Sequence, residues 1–131
     1  MSFAILLLAC ADDDPVDTGP APFAVTNVDP DDGGTPTSEI SPVQLVLSAR
    51  PDMSRCNSDT VRIDGVLDDG SVGFNLYVAM DLQGDGNLRL QPAEPYFRGY
   101  TYAVTIQGGD SGCTDVDGRA ILPFFSTFEV P

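Results

Sequence analysis

The chain has no lysine and no histidine, and six arginines are its whole basic complement against 20 acidic residues. A formal charge of −14 repels a phosphate backbone, and no basic patch is present to overcome it, which argues against nucleic-acid binding. The absence of histidine removes the commonest general base and the commonest transition-metal ligand. Serines, threonines and cysteines are therefore left without an imidazole to activate them. No apolar run is long enough to cross a bilayer as a helix. Helical periodicity is never sustained for three turns, and no Gly-rich loop precedes a helix, so no phosphate cradle is visible. There is no internal repeat.

What is present suits short strands. The 131 residues allow one domain with a real core, and 42% of them are hydrophobic. Thirteen glycines and 11 prolines supply turns between many strands. Alternation with period two marks them. Phe23 to Val28, Ile40 to Ser48, Asp59 to Asp64 and Val72 to Met80 read as strands, with Asp81 to Asn87 as a connector. Leu88 and Leu90 then alternate with polar neighbours, Thr101 to Gln107 alternates cleanly, and Ile121 to Val130 closes the domain. The expected class is all-β, an antiparallel sandwich of about seven strands. Its expected core is Val43, Leu45, Leu47, Val61, Ile63, Phe74, Leu76, Val78, Leu88, Leu90, Tyr102, Val104, Ile106 and Phe128.

The stretch NLRLQPAEPYFRGYTYAVTIQGGDSGCTDVD, residues 87–117, organises the rest. Pro92 and Pro95 interrupt the ladder and force an irregular crossing between two strands. Gly99 stands three residues before Tyr102, where a tyrosine can bury its ring and return its hydroxyl to the backbone. The Leu-x-Leu-x-Pro strand end, the Pro-aromatic crossing, Gly-x-x-Tyr-x-Val-x-Ile and the loop holding Thr114, Asp115 and Gly118 carry a family pattern. With Val25–Gly34, Leu47–Ile63 and Phe125–Val130, it resembles the bacterial Ig-like domain of surface-layer and secreted proteins, the SbsA type. That resemblance covers most of residues 23–131 and implies a scaffold, spacer or adhesion module rather than an active site.

The N-terminal residues read differently. MSFAILLLACA resembles the end of a bacterial lipoprotein signal, with Leu7-Leu8-Ala9-Cys10 as its lipobox. Residues 1–10 are then a signal segment and Cys10 the lipidated residue; a conventional signal peptide or an N-terminal strand are the other readings. No Lys or Arg precedes the apolar run, which a start codon upstream of Met1 would explain. Residues 11–22, ADDDPVDTGPAP, cannot bury a core and form an extended, self-repelling tether. Stretched fully it reaches at most about 40 Å. Ala11 after the cysteine differs from the acidic retention signal of enteric bacteria, which favours the outer membrane or cell surface.

Cys10 once lipidated, Cys56 and Cys113 remain as an even pair. In an Ig-like sandwich their two loops lie at the same end, so an exported, oxidised domain is expected to bridge them; a pair of free thiols is the alternative. Asp81, Gln83, Asp85 and Asn87 fall at alternate positions around Gly86, as in a calcium loop. Pro92 stands where such a loop needs a bidentate glutamate, and a hairpin turn explains the same residues without a metal. Asp29, Asp31, Asp32, Asp68, Asp69, Asp115 and Asp117 read as turn residues that cap backbone amides. Tyr77, Tyr96, Phe97 and Tyr100 are candidate binding aromatics, with burial at the edge of the core as the competing reading. The sequence therefore points to a non-enzymatic, lipid-anchored envelope protein. Its expected partners are the membrane, another envelope protein or a surface glycan. A calcium- or carbohydrate-binding module is the alternative.

Overall fold

Period-two alternation becomes two facing layers. The computed structural model describes residues 22–131. The named strands among them are β1 (Val25–Asp29), β2 (Val43–Leu47), β3 (Val61–Val66), β4 (Val72–Leu76), β5 (Val78–Gln83), β6 (Asn87–Pro92), β7 (Thr101–Ile106) and β8 (Phe124–Glu129). One sheet runs β1-β2-β6-β5 and the other β4-β3-β7-β8, with every strand pairing antiparallel. This is the Ig-like sandwich the alternation predicts. Residues 1–21 lie outside the described residues, so the signal segment, Cys10 and nearly all of the tether do too.

The core is the pair of inner faces. Val43, Leu45 and Leu47 of β2 and Leu88 and Leu90 of β6 face Val61, Ile63, Tyr102, Val104, Ile106 and Phe128, all buried. Full burial of each large aliphatic contributes roughly 1.5–3 kcal/mol relative to exposure. Phe23, Tyr96, Ile121 and Val130 join this core from outside the regular strands.

The main departure from the sequence reading is at Tyr77. Val72 to Met80 alternates as one strand, yet Leu76 pairs with Ile63 in one sheet while Val78 pairs with Pro92 in the other. The chain changes sheets at a single residue, giving eight named strands among the described residues where seven are expected. Alternation reports which side of the strand is buried, not which neighbour it pairs with, so the crossing leaves no mark. Phe74 and Leu76, expected in the core, are only partly buried as a result. Asp81 to Asn87 is likewise not a connector: β5 runs on through Asp81 to Gln83, and Asn87 opens β6. Phe23 stands outside β1 and makes an isolated parallel bridge to Ile121.

A disulfide joins Cys56 and Cys113, with their Cα atoms 4.4 Å apart. The two loops it links are also stitched by backbone bonds, Asp52 N–H to the Thr114 carbonyl (2.9 Å) and Val116 N–H to the Arg50 carbonyl (3.0 Å).

Candidate binding site

The crossing between β6 and β7 is held from below by two tyrosines. The Tyr102 ring is fully buried, and its hydroxyl accepts the Phe97 N–H at 2.7 Å. That is the return to the backbone expected of a tyrosine at this corner. Tyr96 is buried as well and donates its hydroxyl to the Ser41 carbonyl at 2.6 Å. Gly99 takes a φ of +83°, a conformation open to glycine at little cost, and its N–H reaches the Val130 carbonyl at 2.6 Å. Burial pushes the Tyr96 phenol well above its ordinary value, with Tyr102 beside it adding to the shift. Burial also raises Tyr102, partly offset by the Phe97 N–H. Both phenols are thus neutral donors or acceptors, not acid–base groups near neutral pH.

From these anchors an aromatic chain runs to the surface. Tyr102 stacks on Phe128 at 5.5 Å and touches Tyr96 at 5.2 Å. Phe74 meets Tyr102 edge-on at 5.9 Å, then Phe97 at 5.6 Å and Tyr100 at 5.7 Å. Such edge-to-face pairs add about 0.5–1.5 kcal/mol each beyond area burial. Phe74 reaches this position because Gly65, its cross-strand partner, has no side chain. A Cβ on Gly65 would lie 2.3 Å from the Phe74 ring. Gly65→Ala is therefore expected to expel Phe74, costing about 1–3 kcal/mol, with loss of ring-current shifts at Phe97 and Tyr100 in the NMR spectrum. An unchanged aromatic spectrum would contradict this packing.

The outer end of the chain is open. Tyr77 is 69% and Phe97 56% exposed. They border a groove of about 200 Å³ with Phe74, Asn75, Glu94 and Pro95. An apolar floor with an amide and a carboxylate on its rim fits an amphipathic ligand, such as a side chain of a partner or the face of a sugar. The structure brings Tyr77 and Phe97 together here, leaves Tyr100 against the Phe74 and Phe97 rings outside the groove lining, and removes Tyr96, which serves the core. The sequence reading did not single out Asn75, Glu94 or Gly65. The glycine inside the β3 pattern VRIDGV is the signal that could have marked a close approach.

The other candidates are placed as follows. Asp81 and Gln83 lie on β5 with their side chains 3.5 Å apart, and Asp85 sits in the turn, ion-paired with Arg50 at 3.1 Å. Gly84, with a φ of +71°, shapes that turn as a hairpin. Among the described residues, no three His, Cys, Asp or Glu side chains are grouped to hold a metal ion. Several turn aspartates cap amides as expected. Asp32 accepts the Thr127 N–H at 2.9 Å, and Asp69 accepts the Ser71 N–H at 2.9 Å. Asp115 accepts the N–H groups of Asp117 and Arg119 at 3.0 and 2.9 Å. Burial raises the Asp115 carboxyl, but these bonds together with the Arg119 guanidinium outweigh it and hold the group below its ordinary value.

No family model and no curated protein sequence matches the chain. Solved structures do share its fold. The N-terminal part of the bacterial S-layer protein SbsC superposes with a TM-score of 0.59 at 14% identity, over 84% of this chain and 24% of that one. The structure of rSbsC(31-844) gives 0.58 at 14% identity, over 83% and 14% respectively. CopC from Methylosinus trichosporium OB3b gives 0.57 at 14% identity, over 82% of this chain and 92% of that one. The chain thus spans only a small part of the S-layer structures but nearly the whole of CopC. At this level of identity the likeness defines the fold alone, an Ig-like sandwich.

Proposed function

We propose that this chain is a non-enzymatic, lipid-anchored module of the bacterial cell envelope that recognises a partner protein through the aromatic groove at Tyr77 and Phe97. One observation carries the recognition part. Phe97 stands exposed on the Phe74 ring, which reaches down to the buried Tyr102, and the exposed Tyr77 borders the same groove. Rigid aromatics give contact area at low entropic cost. The envelope setting rests on the lipobox resemblance around Cys10, on the acidic tether, on the oxidised Cys56–Cys113 pair, and on a fold shared with S-layer protein SbsC. The SbsA-type motifs of residues 87–117 agree with it.

The anchor is tested by Cys10→Ala in the full chain expressed in a Gram-negative host. The wild type is expected in the membrane fraction with the mass of a lipid-modified Cys10, and the variant unprocessed and unlipidated. Equal processing and equal partition of the two would overturn the lipoprotein reading.

A second reading is supported by the same rim. An exposed tyrosine beside Glu94 and the Asn75 amide oxygen also suits a sugar, whose hydroxyls bond these acceptors while its face stacks on the ring; the Asn75 amide nitrogen is already given to Asp64 at 3.1 Å. A glycan array probed with the wild-type and Tyr77→Ala chains separates this reading from protein recognition.

A further inference from the structure

Among the described residues each sheet ends in two edge strands, and an uncovered edge is a template for another strand. Three of the four are blunted. On β1, Thr26 is bulged out between the Val25 and Asn27 pairings. On β4, the register slips at Gly73, between the Phe74 and Val72 pairings. The free side of β8 is covered by the 32–34 loop: Gly33 N–H bonds the Thr127 carbonyl at 2.7 Å, Glu129 N–H bonds the Gly34 carbonyl at 2.8 Å, and Asp32 caps the Thr127 N–H. The fourth edge, β5, pairs six residues with β6 without a slip.

The bond from Ala93 N–H to the Tyr77 carbonyl, 3.0 Å, sets the phase of this ladder. In an antiparallel pair the bonded residues alternate. Tyr77, Ala79, Asp81 and Gln83 therefore bond toward β6, and Val78, Met80 and Leu82 turn their N–H and C=O groups outward. Among the described residues nothing accepts or donates to them. Val78 is buried and Met80 packs against the core, so the edge offers backbone while Asp81 faces solvent beside it.

We propose that the free edge of β5 receives an extended, basic segment of a partner protein, added as a fifth strand, with one apolar side chain seated in the groove at Tyr77 and Phe97. This rests on the recognition reading above and names the partner's form. Continuity favours it: Tyr77 directly precedes β5, so a strand along Val78–Leu82 reaches the groove within one or two residues of about 3.3 Å each. Backbone bonds would supply affinity and the groove would supply selectivity. Charge selects the occupant. Asp81 on the edge, Glu94 on the groove rim and a chain charge of −14 attract a basic segment. They also repel a second copy of this chain and its own acidic tether.

The test uses the full, isotope-labelled chain and two synthetic peptides, Lys-Val-Arg-Val-Lys-Phe-Arg-Val and its counterpart with Glu and Asp at the basic positions. Hydrogen exchange is read at each amide by NMR. The basic peptide is expected to slow exchange at Met80 and Leu82 at least tenfold, the acidic one to leave it unchanged, and Asp81→Lys to weaken the effect. Tyr77→Ala is expected to weaken binding without moving the protected amides. Four results would each overturn the proposal: no binding of the basic peptide, binding without protection at Met80 and Leu82, equal binding of the acidic peptide, or protection already present without peptide, from a second copy or from residues 1–21. If these amides stay unprotected while partners are still captured through Tyr77, the recognition reading stands and only the added strand falls.

Discussion

Replacing Cys56 and Cys113 together by serine is expected to lower the stability of the domain by about 4 kcal/mol, the loop-closure value for the separation of 57 residues. For a domain of this size that corresponds to a fall in Tm on the order of 15 °C. The bridge matters because it joins the two longest loops at one end of the sandwich, 48–60 and 107–123, which contain little regular structure of their own. Both cysteines are buried, so the serine hydroxyls would also need new partners in an apolar setting. Thermal melts of the wild type, the double variant and the reduced wild type measure the effect. A shift below about 3 °C would mean that the backbone bonds between Asp52 and Thr114 and between Val116 and Arg50 hold the loops without the bridge.

The other large effect belongs to Tyr102. Tyr102→Ala removes the ring that links Phe74, Tyr96 and Phe128, and core truncations of this size cost about 3–5 kcal/mol. Set against a typical total stability of about 5–15 kcal/mol, that leaves the variant close to unfolding. Tyr102→Phe separates the hydroxyl from the ring. It leaves the Phe97 N–H without its acceptor at 2.7 Å, which costs about 1–3 kcal/mol, and it frees the crossing loop that presents Phe97. Denaturant unfolding should rank the chains wild type, Phe, Ala. Amide exchange at Phe97 should rise in the Phe variant while Val104 and Ile106 stay protected. A Phe variant as stable as the wild type would show that water replaces the lost acceptor.

Much of this was readable in the residues. Val43–Leu47 and Thr101–Ile106 each have one face in the core, and burying one face forces the alternation that reveals them. Gly99 and Tyr102 at their spacing announced the corner, because only a left-handed glycine and a returning hydroxyl close it in this way. The disulfide followed from two loops assigned to one end of the fold. What stayed hidden depends on partners far off in sequence. The change of sheet at Tyr77 leaves period two intact. The burial of Tyr96 depends on Ser41, 55 residues away, and Asp32 finds its amide on Thr127, 95 residues away. The groove was half legible: its aromatics stood out as candidates, but the glycine that lets Phe74 support them acts across a strand pair.

The most direct test of the proposed recognition surface is site-specific photocrosslinking in living cells. A photoreactive phenylalanine analogue is placed at Tyr77 in one full-length chain and at Phe125 in another. Phe125 is equally exposed, at 67% against 69%, and lies on β8 away from the groove. Discrete, light-dependent protein adducts are expected from the Tyr77 position that disappear when Phe97→Ala is added, with none of the same mass from Phe125. Identical adducts from both positions, or none from Tyr77, would contradict the proposed surface.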